Sequence, residues 1–310
     1  MAALGLQKQL QRLTWVLPQV ELVRFIDVGF SPPWLSPEEL SQRPVLCIGS
    51  KARTIGDTLM LSSLPRKLKE KYPNLKITTY PRGFNRYVFA QNPYVDHVSY
   101  LPGVVYGDDS NFGEGQLLQL KEQYFGLEVS SDPKPDIYLN EVEQTQVRKL
   151  RAYRSKPVCV IHPWGHTWKK VLDEHLWDSL VSRWRNRVDF WQVGIEGHRA
   201  IVGCTRVLLN ARGYSTCRSM FETLAASDFF IGINSGPMHA ARAFEKPSLI
   251  LIEEGKPEQL FKRRKSAPYY LYDNFRQAFL YEKNEHLNVP DYSAEVLGAQ
   301  VDTFIESQIS

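Results

Sequence analysis

The chain has 310 residues, 43% hydrophobic and 23% charged, a balance typical of globular proteins and sufficient for two domains of ordinary size. Its formal charge of +4 is mild and the basic residues are spread along the chain, which favours an anionic ligand over nucleic acid. The four cysteines form no Cys-x-x-Cys pair, which is typical of reduced thiols in a cytoplasmic protein.

Membrane insertion and secretion are not indicated by the sequence. No run of about 18 apolar residues is present, and the N-terminus lacks the basic-then-apolar layout of a secretory signal. We therefore expect a cytoplasmic protein, with peripheral contact to the inner face of a membrane as an open alternative. The oligomeric state is left open.

Residues 1–44 precede the first predicted strand. Residues 4–26 carry apolar positions at helical spacing, interrupted at Pro18, which predicts one kinked or two short amphipathic helices. We interpret them as a flap packed on the body, with membrane attachment or a subunit contact as alternatives. The proline-rich stretch 31–44 predicts a linker.

From Val45 onward, short apolar strands alternate with helices. Strands are predicted at PVLCIGS, LKITTYP and HVSYLP, with an amphipathic helix over residues 57–72 and a helical turn or two over residues 84–91. Short apolar strands separated by helices predict a parallel sheet covered on both faces.

The same alternation restarts at PVCVIHP, residues 157–163. Further strands are predicted at DFWQVGI, VLLNA, DFFIGIN and SLILIE, and helices over residues 175–185, over residues 217–226 and from Pro237. This rhythm predicts two successive αβ halves with a boundary near residues 151–156. In open αβ sheets ligands bind beyond the carboxyl ends of the strands, so the loops there are the candidate sites.

The first candidate loop, residues 49–65, leads into a helix and contains Gly56 and Asp57. An aspartate at or next to an N-cap is favoured by the helix dipole, so Asp57 has a structural interpretation as a capping residue. The alternative is a catalytic carboxylate, and the residues alone leave both open. Lys51 and Arg53 on the same loop predict an anion-binding site.

The second loop is HPWGHTWKK, residues 162–170, after the first strand of the second half. Lys169 or Lys170 is predicted to reach a phosphate, with two solvent-exposed lysines as the alternative. His162 and His166 are four residues apart, but no third ligand stands nearby in the sequence, so we predict no metal site.

The third loop is QVGIEGHR, residues 192–199. Gly194 and Gly197 permit a close approach to the backbone, and Glu196 is predicted to accept hydrogen bonds from a ribose diol. An ordinary strand-to-helix turn is the alternative interpretation.

The fourth loop is FFIGINSGPMHAARAF, residues 229–244, which begins as a buried strand and ends as a helix. Gly236, followed by Pro237 at the first helical position, predicts a helix start whose N–H groups point back over the strand ends. Such a start attracts anions, and small residues let a phosphate approach the backbone. His239 in the first turn adds a donor or a positive charge. A capped helix with a packed histidine is the alternative.

Together these loops resemble those of glycosyltransferase family 9, which includes the lipopolysaccharide heptosyltransferases. The resemblance covers about residues 45–253 and rests on TIGDTLMLSSLPRKLKEKYPNLKITTY with NPYVDHV, and on FETLAASDFFIGINSGPMHAARAFEKP. It implies an α/β protein of the GT-B fold, with two Rossmann-like domains whose parallel sheets face a central cleft. Residues 45–153 would hold the acceptor and residues 154–290 the nucleotide-sugar. Residues 291–310 would form a helix that crosses back to the first domain, and residues 1–44 an N-terminal helical extension and linker.

The resemblance also implies roles for individual residues. Asp57 matches the proposed catalytic base, and Lys170, seven residues before Trp177, matches a nucleotide-binding lysine. The remaining nucleotide-sugar contacts would come from Thr167, Glu196, Asn234, Ser235, Gly236 and His239. Asn234 stands where many members have aspartate, which leaves a neutral amide near the nucleotide. Lys51, Arg53 and Gly56 would contact the acceptor.

The functional hypothesis is an inverting, metal-independent glycosyltransferase. It would move a sugar, heptose in much of the resembling family, from a nucleoside-diphosphate sugar to a hydroxyl of a glycan, lipid-linked or protein acceptor. No cofactor is expected, because the nucleotide-sugar is a co-substrate, and no nucleic-acid partner is expected. The alternatives are a non-catalytic nucleotide-sugar-binding module and a nucleotide-sugar epimerase of the same architecture.

Overall fold

The computed structural model describes residues 37–42, 45–49, 54–79, 83–98, 117–165, 174–209, 214–233, 235–252, 275–279, 282–283, 290–291 and 294–310. All of them belong to one unit, Ser31–Ser310. The helices predicted over residues 4–26 lie outside the described residues.

The first half contains a parallel three-stranded sheet of order β1-β2-β3. Its elements are, in chain order, α1 (Pro37–Gln42), β1 (Val45–Ile48), α2 (Ile55–Leu59), α3 (Leu64–Lys71), β2 (Lys76–Thr79), a 3-10 helix (Gly83–Val88), β3 (His97–Val98), α4 (Leu117–Tyr124) and α5 (Glu141–Ala152). The predicted linker over residues 31–44 therefore contains a helix. Leu40 of α1 is fully buried, because it packs into the core of this half.

The single helix predicted over residues 57–72 is instead two helices, α2 and α3. Pro65 stands at the second position of α3, where its missing N–H needs no partner. In one continuous helix the proline ring would clash with the preceding turn, so the chain breaks there. The hydroxyl of Ser62 donates to the carbonyl of Leu59 at 2.8 Å and fixes the turn between the two helices.

The second half contains a six-stranded sheet of order β6-β5-β4-β7-β8-β9, parallel throughout. Its elements are β4 (Val158–His162), α6 (Glu174–Trp184), β5 (Asp189–Val193), β6 (Arg206–Leu208), α7 (Tyr214–Ala226), β7 (Phe229–Ile233), α8 (Gly236–Ala243), β8 (Ser248–Ile252) and β9 (Phe275–Phe279), followed by the antiparallel pair β10 (Glu282–Lys283) and β11 (Pro290–Asp291) and by α9 (Ala294–Ile309).

The strand order reverses between β4 and β7, which pair in parallel with His162 opposite Gly232. Such a reversal opens a crevice beyond the carboxyl ends of the two strands, where ligands of open αβ sheets bind. The loop that begins after Ile233 therefore lies at the switch point of this sheet.

The C-terminal helix α9 contacts α6 and β7 of the second half, and its return to the first half stays a prediction. Asp302 accepts hydrogen bonds from Arg183 at 2.5 Å and from the indole nitrogen of Trp184 at 2.6 Å, both on α6. Phe304 meets Phe229 of β7 edge to face, with ring centroids 5.9 Å apart. The apolar face of α9 is thus buried against the helix and strand that precede it in the chain.

The two halves share one hydrophobic cluster. Leu59 and Met60, at the end of α2, are buried together with Phe221 of α7 and Met238 of α8, and Val88 of the 3-10 helix joins them. The two sheets are separate, but the helices at the carboxyl ends of β1 and β7 lie on a common core.

Candidate active site

The first turn of α8 begins at Ser235, the N-cap residue, which has an extended backbone with φ −161° and ψ 178°. Gly236 occupies the first helical position and Pro237 the second, one place later than predicted. Proline contributes no N–H, and the amide of Met238 donates to the carbonyl of Ser235 at 3.1 Å. The hydroxyl of Ser235 donates to the carbonyl of Ile233 at 3.1 Å.

The first turn of α2 is capped by Thr54 and not by Asp57. The hydroxyl oxygen of Thr54 accepts from the amide of Asp57 at 3.3 Å, and the same hydroxyl donates to the Asp57 carboxylate. Asp57 is the third residue of the helix and is half-buried. Because Thr54 supplies the cap, the capping interpretation of Asp57 is not needed to explain the helix start.

The starts of α2 and α8 meet face to face. A Cβ built on Gly56 would lie 3.1 Å from Cδ2 and 3.5 Å from Nε2 of His239. A Cβ built on Gly236 would lie 2.1 Å from Cγ2 of Ile55, which no real side chain tolerates. Gly236 therefore permits an approach of the two helix starts that a larger residue there would prevent, and Gly56 leaves the His239 ring little space.

This approach brings together part of the predicted site. The imidazole of His239 is only 3% exposed and lies beside the residue that precedes Asp57. Ser235 and Gly236 on one helix start thus lie close to Gly56 and Asp57 on the other. The pair of helix starts supplies a carboxylate, an imidazole, two hydroxyls and main-chain amides within one small region.

Glu196 lies in an exposed turn after β5. The turn is closed by its own histidine, because Nδ1 of His198 accepts from the amide of Ile195 at 3.3 Å. Gly197 has a φ of 91°, which favours glycine. Gly194 is needed for a structural reason, since a Cβ there would lie 2.8 Å from Nδ1 of His198.

His162, weighed at first as a metal ligand, is 5% exposed at the end of β4. Its Nδ1 donates to the carbonyl of Val193 at 2.9 Å, which ties the ends of β4 and β5 together. In the part of the chain that the structure describes, no group of three or more metal-ligating side chains is found. In the same residues, no helix has the length and apolar character needed to cross a membrane.

Five of the predicted site residues lie outside the described residues, and their roles stay predictions: Lys51, Arg53, Thr167, Lys170 and Asn234. The structure also contains an ion pair that the sequence analysis missed, between Arg218 of α7 and Glu143 of α5. Its partners are far apart in the chain. A local signal was nevertheless present, because Asn140 and Glu143 have the spacing of a capping box and form one.

Comparison with solved structures identifies the fold. A family 9 glycosyltransferase from Veillonella parvula is similar over 85% of this chain and 96% of its own, with a TM-score of 0.62 and 11% identity. The ADP-heptose lipopolysaccharide heptosyltransferase II of E. coli covers 86% of this chain and 100% of its own, with a TM-score of 0.57 and 13% identity. The E. coli heptosyltransferase WaaC with ADP covers 84% of this chain and 99% of its own, with a TM-score of 0.58 and 12% identity.

These likenesses confirm the α/β GT-B fold that the sequence resemblance implied. The chain therefore has the two-sheet architecture of the family 9 glycosyltransferases and heptosyltransferases. No family model matches the sequence, and a search of curated proteins finds no match.

Proposed function

We propose that the protein is an inverting glycosyltransferase that transfers a sugar from a nucleoside-diphosphate sugar to a hydroxyl of a glycan, lipid-linked or protein acceptor. The observation that carries the proposal is the approach of Gly56 and Asp57 to the Gly236–Ala243 helix start at the switch point of the second sheet. The shared fold with sugar transferases supports the same reaction class.

In the proposed reaction, Asp57 takes the proton of the acceptor hydroxyl. The hydroxyl oxygen forms a bond to the anomeric carbon as the bond from that carbon to the diphosphate oxygen breaks, so the configuration inverts in one displacement. General-base assistance of this kind contributes about 10² to 10⁴-fold. The half-buried carboxylate already accepts a hydrogen bond from Thr54, which orients it.

The departing diphosphate keeps the electron pair of the broken bond, so it gains one negative charge in addition to those it already carries, and this charge must be stabilised. We assign this role to Ser235, Gly236 and His239 on the α8 start, together with Thr167, Lys170 and Asn234. Hydrogen bonds to charged groups contribute about 1.5–3 kcal/mol each, so several converging donors suffice without a divalent ion. Glu196, exposed beyond β5, would accept from the ribose, and Lys51 and Arg53 would contact the acceptor beside Gly56.

The donor to test first is an ADP-sugar, because one similar structure is an ADP-heptose transferase and another is a heptosyltransferase with ADP. The protein would then act on the cytoplasmic side, where nucleotide-sugars are available, and an acceptor anchored in the membrane would bring it to the inner face.

The decisive experiment replaces Asp57 by asparagine and measures binding and turnover separately. We expect Asp57→Asn to bind ADP as tightly as the wild type in calorimetry and to lose at least about 10²-fold in transfer rate. Asp96→Asn is the matched control. Asp96 accepts from the amide of Ile77 at 2.7 Å at the amino ends of the strands of the first sheet, opposite the ends from which α2 leads. Near-wild-type transfer by Asp57→Asn would remove Asp57 from the mechanism.

A second measurement tests the diphosphate site. His239→Ala is expected to weaken ADP binding by about tenfold, the equivalent of one lost hydrogen bond of about 1.4 kcal/mol. Transfer should continue in EDTA, and loss of activity on chelation would contradict stabilisation by protein donors alone. Nucleotide binding without any transfer or hydrolysis would identify a non-catalytic binding module. Conversion of the sugar of the nucleotide-sugar in the absence of an acceptor would identify an epimerase.

A further inference from the structure

The carboxylate of Asp57 is bonded on one side only. Its Oδ2 accepts a hydrogen bond from the hydroxyl of Thr54. In the part of the chain that the structure describes, Thr54 is the one residue that donates to this carboxylate, and Oδ1 receives no donor there. The two oxygens of the proposed base are therefore not equivalent.

The main chain and the side chain of Asp57 are bonded to the same oxygen atom. The hydroxyl oxygen of Thr54 accepts from the amide of Asp57 at 3.3 Å, and its only proton is donated to Oδ2. Rotation of the carboxylate away from this position would break the side-chain bond. Threonine is branched at Cβ and has few χ1 rotamers, so the hydroxyl is itself held in place.

This bonded pair stands next to the proposed diphosphate site. Thr54 and Asp57 flank Ile55 and Gly56, the two residues that contact the start of α8. Thr54 has the extended backbone of an N-cap, with φ −97° and ψ 146°, and Asp57 is the third residue of α2. The direction of the carboxylate is thus set at the point where the two helix starts meet.

A role as a helix cap explains only half of what Thr54 does. An N-cap side chain has to accept a hydrogen bond from the first turn, which the bond from the Asp57 amide provides. The cap does not require the hydroxyl to donate to a carboxylate as well. Glycine replaces an N-cap threonine at little cost to the helix but has no hydroxyl, so the two roles can be separated by substitution.

We propose that Thr54 is a positioning residue that occupies Oδ2 of Asp57 and so leaves Oδ1 as the atom that takes the proton of the acceptor hydroxyl. The inference rests on the proposed function, in which Asp57 is the base. As the acceptor oxygen bonds to the anomeric carbon, its proton passes to Oδ1 and the diphosphate leaves with the electron pair of the broken bond. Thr54 keeps its own proton and acts only through the carboxylate.

Three substitutions of Thr54 test the proposal in steady-state kinetics of the full chain. Thr54→Val keeps the shape but removes the hydroxyl, Thr54→Gly removes it while the helix start is retained, and Thr54→Ser keeps it. We expect kcat to fall by about tenfold in the valine and glycine variants, the effect of a catalytic group that is no longer held, with KM for the donor within about twofold. Thr54→Ser should restore kcat to within about twofold of the wild type.

Thr58→Val is the matched control, because it removes a hydroxyl from the same helix. That hydroxyl donates to the carbonyl of Thr54 at 3.4 Å and does not reach the carboxylate of Asp57. Its kcat should equal that of the wild type. Wild-type kcat in both Thr54→Val and Thr54→Gly, or an equal loss in Thr58→Val, would overturn the proposal.

The residual transfer of Asp57→Ala provides the readout that a purely structural role would not give. If Thr54 acts through the carboxylate, Thr54→Val should cause no further loss of kcat once the carboxylate is absent. A structural defect at the helix start would lower the residual rate by the same factor as in the wild type. An equal loss in both backgrounds would therefore contradict the assignment.

Denaturant unfolding tests the bond without any use of activity. The wild type, Thr54→Val, Asp57→Ala and the double variant form a cycle, and we expect a coupling of about three- to tenfold in the unfolding equilibrium constant. No coupling would show that Thr54 does not hold the carboxylate. If the wild type failed to transfer sugar, the proposed function would be refuted, while this cycle would still decide whether the bond between Thr54 and Asp57 stabilises the helix start.

Discussion

The imidazole of His239 lies against the backbone of Gly56, with Cδ2 only 3.1 Å from the point where a Cβ would stand. The two residues belong to different halves of the fold and are 183 positions apart in the chain. A side chain at position 56 would therefore be tightly confined by the His239 ring, which defines a direct test.

We predict that Gly56→Ala destabilises the protein even though alanine is normally the better helix residue by about 0.5–1 kcal/mol. The new methyl group would press on the His239 ring, and overpacking of this kind costs about 1–3 kcal/mol. Denaturant unfolding of Gly56→Ala, His239→Ala and the double variant measures the coupling. In the His239→Ala background the loss should vanish, and an equal loss in both backgrounds would show that the ring is not the obstacle.

The contact between Gly236 and Ile55 predicts a stronger effect. A Cβ at position 236 would stand 2.1 Å from Cγ2 of Ile55, a branched methyl that cannot swing away freely. Gly236→Ala should therefore force α2 and α8 apart and lower the transfer rate by about 10²-fold, the effect of an error of about 1 Å in position. Combination with Ile55→Ala should restore part of the rate. No recovery in the double variant would contradict the steric explanation.

The buried pair of Glu143 and Arg218 predicts an acid-dependent loss of stability. Burial alone would raise the pKa of Glu143, but hydrogen bonds from Arg218 and Asn140 outweigh it and hold the pKa below its ordinary 4.5. The stabilisation is therefore present above about pH 4.5 and is lost as pH falls through the lower pKa of the folded state. Glu143→Gln should cost about 3–5 kcal/mol at neutral pH, and this difference should narrow in acid.

Denaturant unfolding at a series of pH values measures that difference. Glu70→Gln serves as control, because Glu70 forms an exposed pair with Arg66 at 3.3 Å, whose contribution is expected to be about 0.3–0.5 kcal/mol. If the gap between the wild type and Glu143→Gln stayed constant down to strong acid, the folded carboxyl would not be the titrating group.

Lys246 predicts a rise of stability with pH in the alkaline range. Burial and the nearby charge of Arg151 lower its pKa to about 8, and its Nζ donates to the carbonyl of Ser227 at 2.6 Å. Between about pH 8 and its ordinary value of 10.5 the unfolded chain binds more protons than the folded one, so this group makes stability rise with pH. Lys246→Met should lack that rise.

The matched control is Lys156→Met. Lys156 also donates to a carbonyl at a helix end, that of Arg185 at 2.9 Å, but 37% of its side chain is exposed. Unfolding free energies at a series of alkaline pH values should show the wild-type rise in this variant. An equal rise of the unfolding free energy in Lys246→Met would show that another group causes it.

Most strands could be predicted from the sequence because their signal is local. The runs that became β4 and β7 are apolar at every position except His162 at the end of β4, and the structure buries every residue of both strands. The break between α2 and α3 was equally readable from Pro65 but was obscured by the amphipathic spacing around it. The start of α5 carried the Asn-x-x-Glu signal of a capping box, which a search for apolar periodicity passes over.

The relationships that define the candidate site are not local, and the sequence does not encode them in any short pattern. The bond from Arg218 to Tyr87 joins residues 131 positions apart, and that to Glu143 joins residues 75 apart. Asp302 of α9 and its donors on α6, Arg183 and Trp184, are 119 and 118 positions apart. Motifs can indicate which residues matter, while the partner that holds each of them depends on the whole fold.

The first turn of α8 has a consequence for how the protein responds to its solvent. Pro237 brings no N–H, and the amide of Met238 is already donated to Ser235, so the backbone there offers few dipoles to a bound anion. A diphosphate whose charge is balanced mainly by the proposed cation Lys170 is sensitive to ionic strength, because mobile ions screen exposed charges over about 10 Å at 0.1 M. Nucleotide should therefore bind tightly at low ionic strength and dissociate readily at high salt concentration.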